Sequence, residues 1–215
     1  VLYGPENANY SSYGIQIITM ETVEDIELGN GTKQNVGDNN ATRFETAKNS
    51  YNNVISTLHT KAQAYLNTTY ASKVRSVGSV PNNPTYDGAG MFTSSDEYMT
   101  DYNGIFKNTD TNYSTDYNKI NNLGILDIDK NYWISSRVVS TRTERTDFGV
   151  RYINTSGSLV EDSYNANVLC SVWKSNGNAM SLSFNYGLRP VFTLKTGIKV
   201  TGGSGTSGNP YTLGT

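Results

Sequence analysis

The side chains that could carry chemistry are few, because one His and one Cys occur among 215 residues. Cys170 lies in the apolar run Val168-Leu169-Cys170-Ser171-Val172, with no basic neighbour to stabilise a thiolate, which predicts a buried and inert thiol. His59 stands beside Leu58, off an apolar helical stripe and without a second imidazole to share a metal, so a surface or boundary residue of a helix is the expectation. A Ser nucleophile would have only His59 as its base, and the Gly-x-Ser-x-Gly elbow is absent. Glu21, Glu24, Asp25 and Glu27 crowd one short stretch and read as a solvated acidic face, the alternative being a pair of catalytic carboxylates completed by another acid that the fold brings opposite. Asp127-Ile128-Asp129-Lys130-Asn131 has the alternating spacing with which calcium loops open. Tyr132 stands where the sharp-turn Gly belongs, however, and a turn in which Asp and Asn bond nearby amides accounts for the same residues. Gly202-Gly203-Ser204-Gly205 lacks the Lys and helix of a phosphate cradle. No catalytic residue, no metal and no cofactor are expected.

Charge and composition narrow the partners. Seventeen basic against 19 acidic residues leave a net charge of −2, which gives no positive field to gather nucleic acid. No apolar run reaches the roughly 18 residues of a membrane span, so direct membrane insertion by this segment is not expected. Only 17% of residues are charged, while 16 Tyr and 20 Gly are present among abundant Asn, Ser and Thr. Such a polar, uncharged surface suits secreted bacterial proteins and binding faces, where Tyr supplies contact area and Asn or Ser adaptable hydrogen bonds. A lone Cys excludes an internal disulfide. The opening Val1-Leu2-Tyr3-Gly4-Pro5 holds neither a basic region nor an apolar stretch, the expectation for a mature product or excised fragment with any targeting segment upstream.

The elements that must position these residues emerge from periodicity. Gly14-Ile15-Gln16-Ile17-Ile18 alternates as an early strand. Thr42-Arg43-Phe44-Glu45 is a capping box, and Phe44, Ala47, Tyr51, Val54, Ile55, Leu58, Ala62, Tyr65 and Leu66 recur at helical spacing, which predicts a long amphipathic helix over 43–71. A polar loop region over 86–114, with a short helix near 96–102, and a helix over 117–123 capped by Asp116 are expected next. Beyond Gly124 the chain becomes β-rich, with segments at 132–134, 148–153, 168–173 and 188–194 separated by Asn, Ser and Gly clusters. Arg189, inside an apolar strand before Pro190, is expected to have a structural role with carboxylate or carbonyl partners, whereas Arg142 and Arg145 in a polar loop are free to meet a ligand. The pattern is α+β, an antiparallel sheet with long loops in the second half and a long helix in the first. One domain over 1–215 is expected, with 197–215 a candidate C-terminal hairpin.

Tyr132-Trp133-Ile134-Ser135-Ser136-Arg137, Phe148-Gly149-Val150-Arg151-Tyr152-Ile153-Asn154, Tyr186-Gly187-Leu188-Arg189-Pro190-Val191-Phe192 and Asn209-Pro210-Tyr211-Thr212-Leu213 together resemble a group of bacterial extracellular domains of gut Firmicutes. These often lie behind a prepilin-type or other membrane-anchoring N-terminus and are similar to the C-type lectin-like fold shared with formylglycine-generating enzymes. The resemblance implies that Trp, Arg-Pro and the closing strands are scaffold and that loops carry function. The catalytic branch of that fold uses paired cysteines, and the calcium-dependent lectins use Glu-Pro-Asn or Gln-Pro-Asp; neither feature occurs here. The resemblance therefore implies a non-catalytic extracellular or cell-surface domain for ligand binding or adhesion. Its contact face would lie on loops 140–147 and 162–185, with Arg142, Arg145, Trp173, Asn176, Asn178, Asn185 and Tyr186 meeting a glycan or protein. The alternative is a structural subunit of a pilus-like surface filament, whose partners are copies of itself.

Overall fold

The computed structural model describes residues 1–4, 14–29, 42–43, 45–47, 54–85, 104–107, 112–126, 128–141, 145–160, 168–173, 180–204 and 208–215. In chain order the elements are β1 (Gln16–Ile18), β2 (Asp25–Leu28), α1 (Val54–Gln63), β3 (Ala71–Ser76), β4 (Gly104–Lys107) and α2 (Asn112–Asn122). They continue with β5 (Tyr132–Thr141), β6 (Arg145–Ile153), β7 (Leu159–Val160), β8 (Val168–Trp173) and β9 (Met180–Ser181). The last are β10 (Phe184–Gly187), β11 (Pro190–Leu194), β12 (Lys199–Gly202) and β13 (Thr212–Gly214). Residues 42–43 and 45–47 are also helical. The architecture is α+β and dominated by sheet.

The main sheet runs β2-β10-β5-β6-β8-β9, with β4 added to β5 and β7 to β6. Its pairings are antiparallel except for the parallel meeting of Gly187 with Tyr132. Alternation along β5 decides how the two cores divide. Trp133 points into one core with Ile26, Val54, Leu58, Val74, Val150 and Leu169, while Tyr132 and Ile134 point into the other with Leu2, Val77, Ile120, Ile153 and Val191. A second sheet, β1-β11-β3, borders both cores through Val74, Val191 and Phe192. Residues 197–215 close on themselves, β12 pairing β13 as a separate two-stranded sheet.

The long helix expected over 43–71 is not seen. Val54, Ile55, Leu58 and Ala62 do form its buried stripe, and Lys61 sits in the last turn, where a cation complements the helix dipole. The helix nevertheless ends at Gln63. The following amides of Ala64, Tyr65 and Leu66 bond back three residues instead of four, tightening the chain out of the α spiral. Asn67 then accepts the Thr69 amide through its side chain, a turn that competes with the helix ladder, and Ala71 opens β3. Gln63 Nε2 donates to the Val74 carbonyl at 3.0 Å and fastens the helix end to that strand. The short helix expected over 96–102 lies outside the described residues. No helix among the described residues is long and apolar enough to cross a membrane.

Asp116 corrects a second expectation. It is not a cap: it lies in the middle of α2 and is fully buried. Arg75 donates to it at 2.6 and 3.1 Å, the Tyr3 hydroxyl at 2.6 Å and the Gly78 amide at 2.7 Å. Gly78 sits at φ +85°, and an added Cβ would lie 2.7 Å from Ile134 Cγ2, so a glycine is required where this amide turns inward. Arg189 fulfils its expected structural role. Its guanidinium donates to the carbonyls of Thr19 (2.8 Å) and Ile125 (2.8 Å) and lies 4.9 Å from the centre of the Tyr132 ring.

Candidate functional site

The strand β1 sets up the site because a polar residue shares its inward face with Ile18, which packs against the core. In a half-buried strand the apolar side chains face the core. Here the polar residue is Gln16, fully buried, whose Oε1 accepts from Arg75 Nε at 3.3 Å and from Nη2 at 3.0 Å. The buried Arg75–Asp116 pair creates the demand for a polar partner at that position. Its neighbours Ile15 and Ile17 are consequently turned the other way, toward the surface. The opposite wall is the C-terminal hairpin, on which Ile198, Val200, Tyr211 and Leu213 come forward. Gly203 makes that wall possible: its φ is +85° and an added Cβ would fall 2.0 Å from the Pro210 carbonyl oxygen.

Between these walls lies a groove of about 480 Å³. Val1, Met20 and Leu194 complete its apolar surface, and the charged lining residues are Glu21 and Lys199. Most of the exposed large hydrophobics among the described residues gather here: Val1 (54% exposed), Met20 (47%), Val200 (54%) and Tyr211 (48%) all line it, with Ile15, whereas Leu123 stands apart. Scattered exposed apolar residues need no explanation, but their concentration on one concave surface makes this groove the candidate site.

The site residues expected from the sequence are placed elsewhere and are divided. Arg142, Asn176 and Asn178 lie outside the described residues. Trp173 ends β8 in register with Arg145 of β6, and its side chain is also outside the described set. Arg145 is half-buried with its Nε 3.1 Å from Asp147 Oδ2, so it belongs to an ion pair within the sheet. Asn185 is exposed on β10, and Tyr186 beside it is half-buried. β10 meets β5 at Tyr132, whereas Arg145 lies by the Thr141 end. Nine residues of strand, roughly 30 Å, separate the two groups, so they do not form one contact face.

Tyr186 is part of an aromatic stack. Its ring centroid is 4.6 Å from that of Trp133, 4.6 Å from Tyr152 and 5.7 Å from Phe184. Burial, and after it the neighbouring Tyr152 hydroxyl, push the Tyr186 phenol up to about 12, against a downward pull from the Asn131 side chain. An unfolded Tyr ionises near 10, so the fold keeps this group neutral; its contribution is complete below pH ~10 and fades as the pH climbs toward about 12. NMR of the Tyr ring carbons should show this resonance titrating late, and Tyr186→Phe should remove it and soften the alkaline fall in stability. A Tyr186 titration near the ordinary value would contradict the packing described.

Cys170 is buried with Sγ 3.6 Å from the Ala47 carbonyl, and burial first, then the Asp147 charge, raises its pKa far above the thiol range. His59 is half-buried, hydrogen-bonded to Gln63 at 3.2 Å, and burial lowers its pKa. Asp127 lies outside the described residues. Asn131 Oδ1 accepts the Thr155 amide at 3.0 Å, a tie to a loop 24 positions away and not a bond to a nearby amide, and Lys130 pairs with Asp25 at 3.0 Å. No group of three or more His, Cys, Asp or Glu among the described residues is placed to hold a metal ion.

Sequence reasoning misses the groove because the alternation in 14–18 reads as an ordinary strand. The signal lies in Gln16: a lone amide between isoleucines, with Arg75 as a buried partner to be found elsewhere. Compared with family models, with curated proteins and with solved structures, the chain finds no match in any of the three.

Proposed function

We propose that this is a non-catalytic, extracellular ligand-binding or adhesion domain of a bacterial cell-surface protein, built as a variant of the C-type lectin-like fold. The observation that carries the reading is the groove between β1 and the β12–β13 hairpin, where exposed aliphatic side chains gather on one concave surface. A lining of aliphatic side chains and one tyrosine, with one acid and one base, suits an apolar stretch of a protein ligand better than a glycan, whose hydroxyls lose hydrogen bonds to water unless polar groups replace them. A second reading, a structural subunit of a pilus-like filament, is favoured by the same surface, since it can meet a copy of the chain.

Panning a phage-displayed library of random peptides on the chain tests the first reading. Apolar peptides should be enriched, and the combined substitution Ile15→Ser, Met20→Ser and Val200→Ser should abolish their capture. These side chains are exposed, so stability should move by no more than about 0.5 kcal/mol per site in urea denaturation. Failure to enrich peptides, or enrichment untouched by the triple substitution, would overturn the assignment.

A further inference from the structure

We propose that the partner of the groove is a second copy of this chain, bound about a two-fold axis so that each copy's C-terminal hairpin seats against the other's β1. The inference rests on the groove being an interaction surface and names what occupies it.

Two independent features select this occupant. The first is charge. Glu21 and Lys199 are both exposed, and neither has an ion-pair partner among the described residues. A two-fold contact is isologous, so a surface with one acid and one base beside an apolar centre is its own complement. Glu21 of each copy meets Lys199 of the other. With a net charge of only −2 per chain, little long-range repulsion opposes the approach.

The second feature is the hairpin. Among the described residues β12 and β13 pair only with one another, and a two-stranded hairpin is marginal in water without a third strand or a packed face. Its outer edges present backbone donors and acceptors, while Val200 and Tyr211 remain half exposed. A two-fold axis sets one hairpin antiparallel to the other, so the same operation supplies the missing strands and covers Val200 and Tyr211. Strand β1 contributes Ile15 and Ile17 as the surface they cover.

Charge reversal tests this directly. Sedimentation equilibrium of the full chain should show a reversible monomer–dimer equilibrium. Glu21→Lys alone and Lys199→Glu alone should each weaken it by at least about tenfold, because like charges then face one another twice. Mixing the two variants should restore dimer formation as a heterodimer, since every contact again joins opposite charges. A wild-type chain that stays monomeric at the highest attainable concentration overturns the proposal, and so does a dimer indifferent to both substitutions. Open assemblies that grow beyond the dimer also overturn it, because they require a head-to-tail contact. If peptides selected by phage still compete for the groove in a monomeric chain, the binding reading stands and only the occupant is wrong.

Discussion

Replacing Asp116 by Ala is expected to destabilise the fold by about 3–5 kcal/mol, because a buried guanidinium loses the carboxylate that compensates it. Arg75 is buried and reaches Asp116 at 2.6 and 3.1 Å, and the same carboxylate takes the Tyr3 hydroxyl and the Gly78 amide. Four donors from two separate stretches of chain, Tyr3 and residues 75–78, therefore converge on one side chain. Urea denaturation gives the magnitude. The cause is separated by the combined substitution Arg75→Met and Asp116→Leu, which removes both charges together. It should lose less stability than Asp116→Ala alone, since the desolvation of both ions disappears with them. Additivity of the two single changes within about 0.5 kcal/mol would mean that the pair is not coupled. The effect should also reach the groove, because Arg75 holds Gln16 and Gln16 fixes which way Ile15 and Ile17 point.

Trp133→Ala should cost a comparable amount, about 3–5 kcal/mol, through a different mechanism. The indole is 1% exposed at the centre of the larger core, and its Nε1 donates to the Ile26 carbonyl at 2.9 Å. Removing it opens a cavity beneath Tyr152 and Tyr186, whose rings lie 6.4 and 4.6 Å away, and leaves the carbonyl without this donor. Trp133→Phe should recover much of the loss by filling most of the volume while still lacking the hydrogen bond. If both variants proved equally destabilised, the hydrogen bond and not the volume would dominate.

Much of the sheet is legible in the sequence, and the reason is local. Tyr132-Trp133-Ile134 and Phe148 to Ile153 are dense in aromatic and β-branched residues that fit a pleated surface buried on both faces, and they appear as β5 and β6. The hairpin at 197–215 shows for a similar reason, since its glycines announce the turn. Features decided by distant partners are not legible. Tyr65 and Leu66 continue the helical spacing of α1, yet the turn at Asn67 and the strand β3 take precedence. Ala71–Ser76 carries Lys and Arg and does not look like a strand until Arg75 is seen to reach Asp116, 41 positions away. Asp116 resembles a cap because the pattern before it is polar, and only the fold reveals that it is enclosed.

The candidate site divides along the same line. Residue type alone groups Asn185, Tyr186, Arg145 and Trp173, and the pairing of β10 and β8 sets them at opposite ends of β5. The groove assembles residues from both ends of the chain, Val1 to Glu21 and Leu194 to Leu213, which no local window contains.

The central claim is that this protein acts by holding a protein partner against the groove between β1 and the C-terminal hairpin. An amide shift map of the full chain, titrated with a peptide taken from the phage selection, measures this most directly. Saturable shifts confined to the neighbourhood of 15–21 and 194–213 are predicted, and they should vanish in the Ile15→Ser, Met20→Ser, Val200→Ser chain. Shifts centred instead on Asn185 and Tyr186, or near Arg145, with the groove silent, would contradict it.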